Sequence, residues 1–155
     1  MKNNAFIFFF LFGITFGFSQ PKTYSFEQAE KLAVENPKPY FIFIKTPWCK
    51  FCKMMEKSTF KNKAVISILN ADFYFVELNA EEKKDITFNG KIFKFIPNGI
   101  NSGMHRLASE LANINGELSY PTTVILNSNF EIIGKKSGFI DSKSLLSLLS
   151  NTFNH

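Results

Sequence analysis

Cys49 and Cys52 are the only cysteines in this 155-residue chain, and an unbroken apolar run, Tyr40-Phe41-Ile42-Phe43-Ile44, comes shortly before them. A short continuous run of this kind fits a strand buried on both faces. From Cys49 to about Ser58 the pattern changes to a helical one, with Cys52, Met55 and Thr59 on one stripe. The pair is therefore expected at the end of a buried strand and the start of a helix. Unpaired N–H groups and partial positive charge at a helix N-terminus favour a thiolate over a thiol. Lys45, Lys50 and Lys53 surround the pair and add to that effect. A thiolate with a second thiol in reach can attack a disulfide, form a mixed disulfide and be released by its neighbour.

Other chemistries use the same spacing. Structural zinc takes four ligands, and only His105 and His155 remain, with no His-x₃₋₅-His pair. A purely structural disulfide would close a loop too short to remove much unfolded-state entropy. Copper or zinc carriage by the dithiol with Met54 or Met55 is a further alternative, as is a non-catalytic binding module with permanently oxidised cysteines. The redox reading needs neither metal nor organic cofactor. Trp48, beside Cys49, offers a flat aromatic surface that can shield a thiolate and receive an unfolded substrate.

Residues 1–19 read as a signal peptide. Lys2 supplies the positive end, Ala5 to Phe18 is almost wholly apolar, and the small residues Gly17 and Ser19 precede a cut before Gln20. The stretch is shorter than the ~20 apolar residues a spanning helix needs. Export, with a periplasmic location, is the expectation. In an oxidising compartment a dithiol tends to oxidise unless it is re-reduced, so a reductase there requires a membrane electron-donor protein. Residues 20–155 are one domain's worth of chain. The net charge of +5 comes from lysines scattered among acids such as Glu81, Glu82 and Asp85, not from a basic stripe, and this argues against nucleic acid as a partner.

Ser25 and Gln28 form a capping-box pattern that opens a helix, closed by Pro37 and Pro39. Asn62 can cap a helix with Val65, Ile66 and Leu69 inward. Phe73 to Leu78 reads as a strand. Asn89-Gly90 is a two-residue hairpin turn, and the expected register puts Ile86, Phe88, Phe93 and Phe95 on one face, packed on the core or forming a rim beside the dithiol. A loop from Pro97 to Gly103 and a helix from about Met104 to Asn113 follow. Thr122–Leu126 and Phe130–Lys135 form a further hairpin, and Asp141 or Ser142 caps a last helix carrying Leu145, Leu148 and Leu149. This order gives an α/β layer fold.

Trp48-Cys49-x-x-Cys52, with Tyr120-Pro121-Thr122 opening a later hairpin and Gly134 and Gly138 at its exit, resembles the thioredoxin superfamily. The Cys-Lys-x-x-Glu-Lys-x-Thr-Phe pattern from Cys52 to Phe60 is similar to the secreted thioredoxin-like domains that end the transmembrane disulfide-reducing electron carriers of bacteria. The resemblance covers roughly Phe26 to Leu149. It implies a thioredoxin-like fold, a central mixed sheet flanked by helices, with a β-hairpin insertion around 85–103. It further implies a monomer in which Cys49 attacks, Cys52 resolves, and a cis Pro121 exposes the Tyr120 backbone to substrate, with Trp48 shielding the site. Protein thiols and disulfides are the implied substrates. Phe43 departs from the pattern, for thioredoxins commonly hold a buried acid there. Lys50-Phe51 inside the motif matches neither thioredoxins nor the oxidases. With no room for the oxidases' helical domain or the isomerases' dimerisation domain, a reductase or electron relay is favoured.

Overall fold

The computed structural model describes residues 20–152; the leader expected at 1–19 lies outside them. β1 (Thr23–Tyr24) leads into α1 (Phe26–Ala33), where the Ser25 hydroxyl accepts from Gln28 N–H and the Gln28 side chain accepts from Ser25 N–H, the capping box read from the sequence. β2 (Tyr40–Lys45) is followed by α2 (Lys50–Lys57), a turn of 3₁₀ helix (Thr59–Lys61), α3 (Lys63–Asp72) and β3 (Tyr74–Asn79). Asn62 caps α3, accepting from the N–H groups of Ala64 and Val65. Two small hairpins come next, β4 (Ile86–Phe88) with β5 (Lys91–Phe93), and β6 (Phe95–Pro97) with β7 (Gly103–His105). α4 (Arg106–Ala112), β8 (Thr122–Leu126), β9 (Ile132–Ser137) and α5 (Ser142–Thr152) complete the order.

The main sheet runs β1-β3-β2-β8-β9, with β1, β3 and β2 mutually parallel, β8 antiparallel to β2, and β9 antiparallel to β8. This is the thioredoxin-like mixed sheet. Strand alternation sorts the core into two layers. Tyr40, Ile42 and Ile44 of β2 face α1, α4 and the β4 hairpin. Phe41 and Phe43 face α2, α3 and α5, in a layer that contains Cys49, Cys52 and Met55. Rings of Phe41, Phe43, Phe60 and Phe75 pack there at centroid separations of 4.9–6.2 Å, geometry that adds to the area each ring buries.

The first hairpin turns at Asn89 and Gly90, whose φ of 49° and 69° are what a two-residue primed turn demands. Ile86 pairs with Phe93 and Phe88 with Lys91. Phe88 is buried against Phe26, Tyr40 and Phe130, so the hairpin packs on the domain's own core. Glu27 and Glu30 of α1 accept from Thr87 and Asn89 N–H and fasten it there. Burial would raise the Glu27 carboxyl, but bonds from its own backbone, the Ser25 hydroxyl and Thr87 outweigh that and hold it below its ordinary value.

Phe95 does not extend that face. It begins the second hairpin, and the expected 97–103 loop is that hairpin's tip, where Asn98 N–H meets Ser102 O at 3.0 Å. The following helix starts at Arg106 rather than Met104, because Gly103–His105 is paired with Phe95–Pro97. At Gly103 a Cβ would lie 2.6 Å from the Ile96 carbonyl oxygen, so only glycine allows the two strands to approach here. β9 begins at Ile132, not Phe130: Phe130 takes φ 66° in the turn, and its ring stacks inward on Tyr40 and Phe88.

Tyr40 is completely buried, and its hydroxyl meets no partner among the described residues. Burial, with Glu30 and Tyr74 adding to it, pushes its pKa up to about 12. An unpaired buried hydroxyl costs about 1–3 kcal/mol, whereas the ring keeps its contacts in phenylalanine. Tyr40→Phe should therefore raise stability by about 1 kcal/mol in urea unfolding; a clear loss would mean that the hydroxyl is hydrogen-bonded.

Candidate functional site

Cys49 is the N-cap of α2. It follows Thr46-Pro47-Trp48 at the C-terminal end of β2, and its N–H donates to Thr46 O at 3.2 Å. Its Sγ accepts the Cys52 backbone N–H at 3.0 Å, one of the donors a helix N-terminus leaves unpaired. The two sulfurs are joined, with S–S 2.10 Å and Cα–Cα 5.3 Å. The dithiol is thus in its oxidised form at the strand-to-helix junction expected from the sequence. Both residues are nearly enclosed, Cys49 at 4% exposure and Cys52 at 1%. Cys49 is the outer of the two by a narrow margin only.

The Tyr120–Pro121 peptide bond is cis. Pro121 is buried, its carbonyl accepts from Gly138 N–H at 2.7 Å, and it leads directly into β8. Tyr120 packs against the layer that holds both cysteines. Trp48 stands over this region, 64% exposed, with its ring edge-on to Tyr120 at 6.2 Å. The structure therefore gathers Trp48, Cys49, Cys52 and Tyr120 in one place, with Pro121 beside them.

Several contacts in this group were not legible from spacing. The Trp48 indole N–H donates to a Glu81 carboxylate oxygen at 2.8 Å. The Tyr120 hydroxyl donates to the Met104 thioether at 3.4 Å. Burial, then the charge of Glu81, raises the Tyr120 phenol above its ordinary value. Phe51, inside the motif, is 57% exposed. Met55 is buried in the core while Met54 faces solvent, so the two methionines considered as metal ligands point apart. His105 is completely buried, with neither ring nitrogen bonded among the described residues.

Lys45 changes its assignment. Rather than a free cation beside Cys49, it is held between Glu56 of α2 and Glu77 of β3, 2.5 Å from each. Glu77 pairs with Phe43 across the parallel strands, so the carboxylate absent at position 43 stands one strand over. A cavity of about 270 Å³ is lined by Cys52 together with Lys45, Thr46, Pro47, Lys53, Glu56 and Asn79. Glu56 is the one carboxylate on its wall, and it is already engaged by Lys45. A larger cavity, about 480 Å³, lies at the other end of the sheet, between Pro39, Ile133 and Leu148, away from the cysteines.

Burial alone would lower the Lys45 pKa, but hydrogen bonds and charge from Glu56 and Glu77 outweigh it and raise the group above 10.5. A lysine that titrates higher in the folded chain adds stability that is complete below the unfolded value and is lost as pH rises through the folded one. Lys45→Met should cost about 1 kcal/mol at neutral pH. The gap from wild type should close as pH climbs past 10.5. A gap that stays constant across that range in urea unfolding would contradict the pairing.

A family model for the thioredoxin-like domain matches residues 26–153. A 60-residue stretch is 35% identical to uncharacterized protein B0495.5 of Caenorhabditis elegans, covering 39% of this chain but 8% of that protein. The matched stretch thus spans less than a tenth of that curated relative's length. Among solved structures, a thioredoxin from Thermus thermophilus superposes with TM-score 0.60 at 17% identity, covering 86% of this chain and 88% of its own. The C-terminal domain of Neisseria meningitidis DsbD, in the reduced form, superposes with TM-score 0.54 at 14% identity, covering 80% and 90%. At such identities the two structures speak to the fold alone, and it is the fold built above from the strand order. With its Cys-x-x-Cys pair in place on that fold, the chain belongs to the thioredoxin-like domain family.

Proposed function

We propose that this protein is an exported thiol–disulfide oxidoreductase acting as a reductase or electron relay. One observation carries the reading: Cys49 caps α2, is bonded to Cys52, and has its sulfur on a helix N–H. In the reduced protein the same N–H stabilises a Cys49 thiolate. That thiolate attacks one sulfur of a substrate disulfide, and the other leaves as a thiolate and takes a proton from water. Cys52, deprotonated, then attacks Cys49 Sγ, expels the first substrate sulfur and restores the Cys49–Cys52 disulfide. Two electrons pass to the substrate, which gains two protons.

Tyr120 and Pro121 serve this reaction by presenting an extended backbone edge beside Cys49, on which a substrate segment pairs as an added strand. Trp48 keeps bulk water from the attacking sulfur. The surroundings of the thiolate support the reductase direction. A strongly oxidising pair needs its reduced form heavily stabilised. Here Lys50 and Lys53, the cations beside the pair in the sequence, are solvent-exposed, and Lys45 is engaged by two carboxylates. The apolar leader of residues 1–19 supports export to the periplasm, where a membrane electron donor would re-reduce the pair. In a single-turnover test, pre-reduced protein mixed with a disulfide-bonded protein should yield two substrate thiols for each Cys49–Cys52 disulfide formed. Failure to transfer any electrons would remove this reading.

A further inference from the structure

We propose that the hairpin β6–β7 is the outer half of the substrate-docking surface. That surface takes an extended segment of a protein disulfide with an apolar residue beside its cysteine and an acidic residue toward α2. The proposal rests on the oxidoreductase reading. With Cys49 only 4% exposed, a partner sulfur has to come in across the rim of the site. Trp48 and Phe51, which flank Cys49 in the sequence, are more than half exposed. Tyr120 stands edge-on to Trp48 and gives its hydroxyl to Met104 of β7. Met104 is the cross-strand partner of Ile96, so their side chains share the hairpin face that meets Tyr120. Ile96 is 51% exposed, and Ile100 at the tip is wholly so.

An apolar strip therefore runs from the exposed Trp48, beside Cys49, through the half-buried Tyr120 and Met104 to the exposed Ile96 on the hairpin. Contiguous exposed apolar surface of this kind marks a place where another molecule binds. The charge at its α2 end selects the occupant there, away from the Glu81 carboxylate that the Trp48 indole holds. Lys50 and Lys53 are exposed in the first turn of α2, where the helix N-terminus adds partial positive charge. An acidic neighbour to the substrate cysteine is favoured there and a basic one is not. A second copy of this chain is a poor occupant, because its own charge is positive.

The test uses pre-reduced protein in single turnover with three substrates. Two are synthetic peptide disulfides of equal length, one with Phe before and Glu after the cysteine, the other with Ser and Lys. The third is hydroxyethyl disulfide. The acidic, apolar peptide should half-saturate at a concentration at least tenfold below that of the other peptide. The doubly substituted Ile96→Ser, Ile100→Ser protein, changed only at exposed side chains, should lose most of that preference relative to its rate on hydroxyethyl disulfide. Lys50→Glu with Lys53→Glu, which leaves the hairpin untouched, should weaken the preference without reversing it. If the hairpin variant keeps the full preference while wild type reduces all three substrates, the docking proposal is overturned and the oxidoreductase reading stands. Wild-type protein inert toward all three would end both. A dimer whose formation abolishes peptide binding would show that the strip is a self-association face and overturn the proposal.

Discussion

Cys52→Ala should leave substrate proteins covalently attached to Cys49, as high-mass adducts that collapse on reduction, while Cys49→Ala should give few or none. The asymmetry follows from position. Cys49 Sγ sits at the cap of α2 and receives the Cys52 N–H, whereas Cys52 lies a turn inward at 1% exposure in the Phe-lined layer. With its partner removed, Cys49 keeps both its nucleophilicity and its access to the rim, and nothing expels the bound substrate. Cys52 alone has neither. The effect is close to all-or-none, and it separates an enzyme from a metal carrier or a passive binding domain, neither of which distinguishes the two sulfurs. Equal trapping by both variants, in cells where each is folded and exported, would remove the assignment of Cys49 as nucleophile.

Release of the mixed disulfide should accelerate with pH, by roughly tenfold per unit on the acid side of the Cys52 thiol's pKa. The fully buried Phe43 stands where an acid would otherwise lie behind the dithiol. On this account the proton of Cys52 passes to solvent through the cavity of about 270 Å³ beside it. Glu56 lines that cavity, with one carboxylate oxygen committed to the ion pair with Lys45. Glu56→Gln should accordingly leave the slope of the profile unchanged. In stopped-flow measurements, a wild-type release rate that is fast and flat between about pH 6 and pH 9, a range spanning the ordinary thiol value, would contradict this. So would a slope that appears only in Glu56→Gln, since it would identify Glu56 as the base.

What the sequence made legible is what is encoded locally. The Ser25 and Asn62 caps, the Asn89-Gly90 turn and the uninterrupted run of β2 each depend on neighbours within a few residues, and each is found in place. Phe95-Ile96-Pro97 and Gly103-Met104-His105 carry no such signal. A proline in one strand and a glycine in the other argue against pairing. Their hairpin is fixed from outside where His105 N–H reaches Ala80 O, and its ladder is closed at the base by Arg106 N–H on Lys94 O.

The site divides in the same way. The Cys pair and the cis proline were readable from motif and resemblance, and the structure places them with Trp48 and Tyr120. Glu81 and Met104 were not, for they reach Trp48 and Tyr120 from 33 and 16 residues away. Glu77 did leave a trace. It falls on the Phe73 and Phe75 face of β3, and a charged residue on an otherwise aromatic face needs a partner. Lys45 is that partner. Read without the fold, the same lysine looked like a cation serving Cys49.

The reduction potential of the Cys49–Cys52 pair tests the proposed direction most directly. Equilibrating the purified protein with glutathione or dithiothreitol buffers and counting its free thiols gives the value. A potential near thioredoxin's, about −270 mV, is expected, because few groups around Cys49 favour the reduced form. A potential near −120 mV, that of a strong oxidant, would contradict the reductase reading.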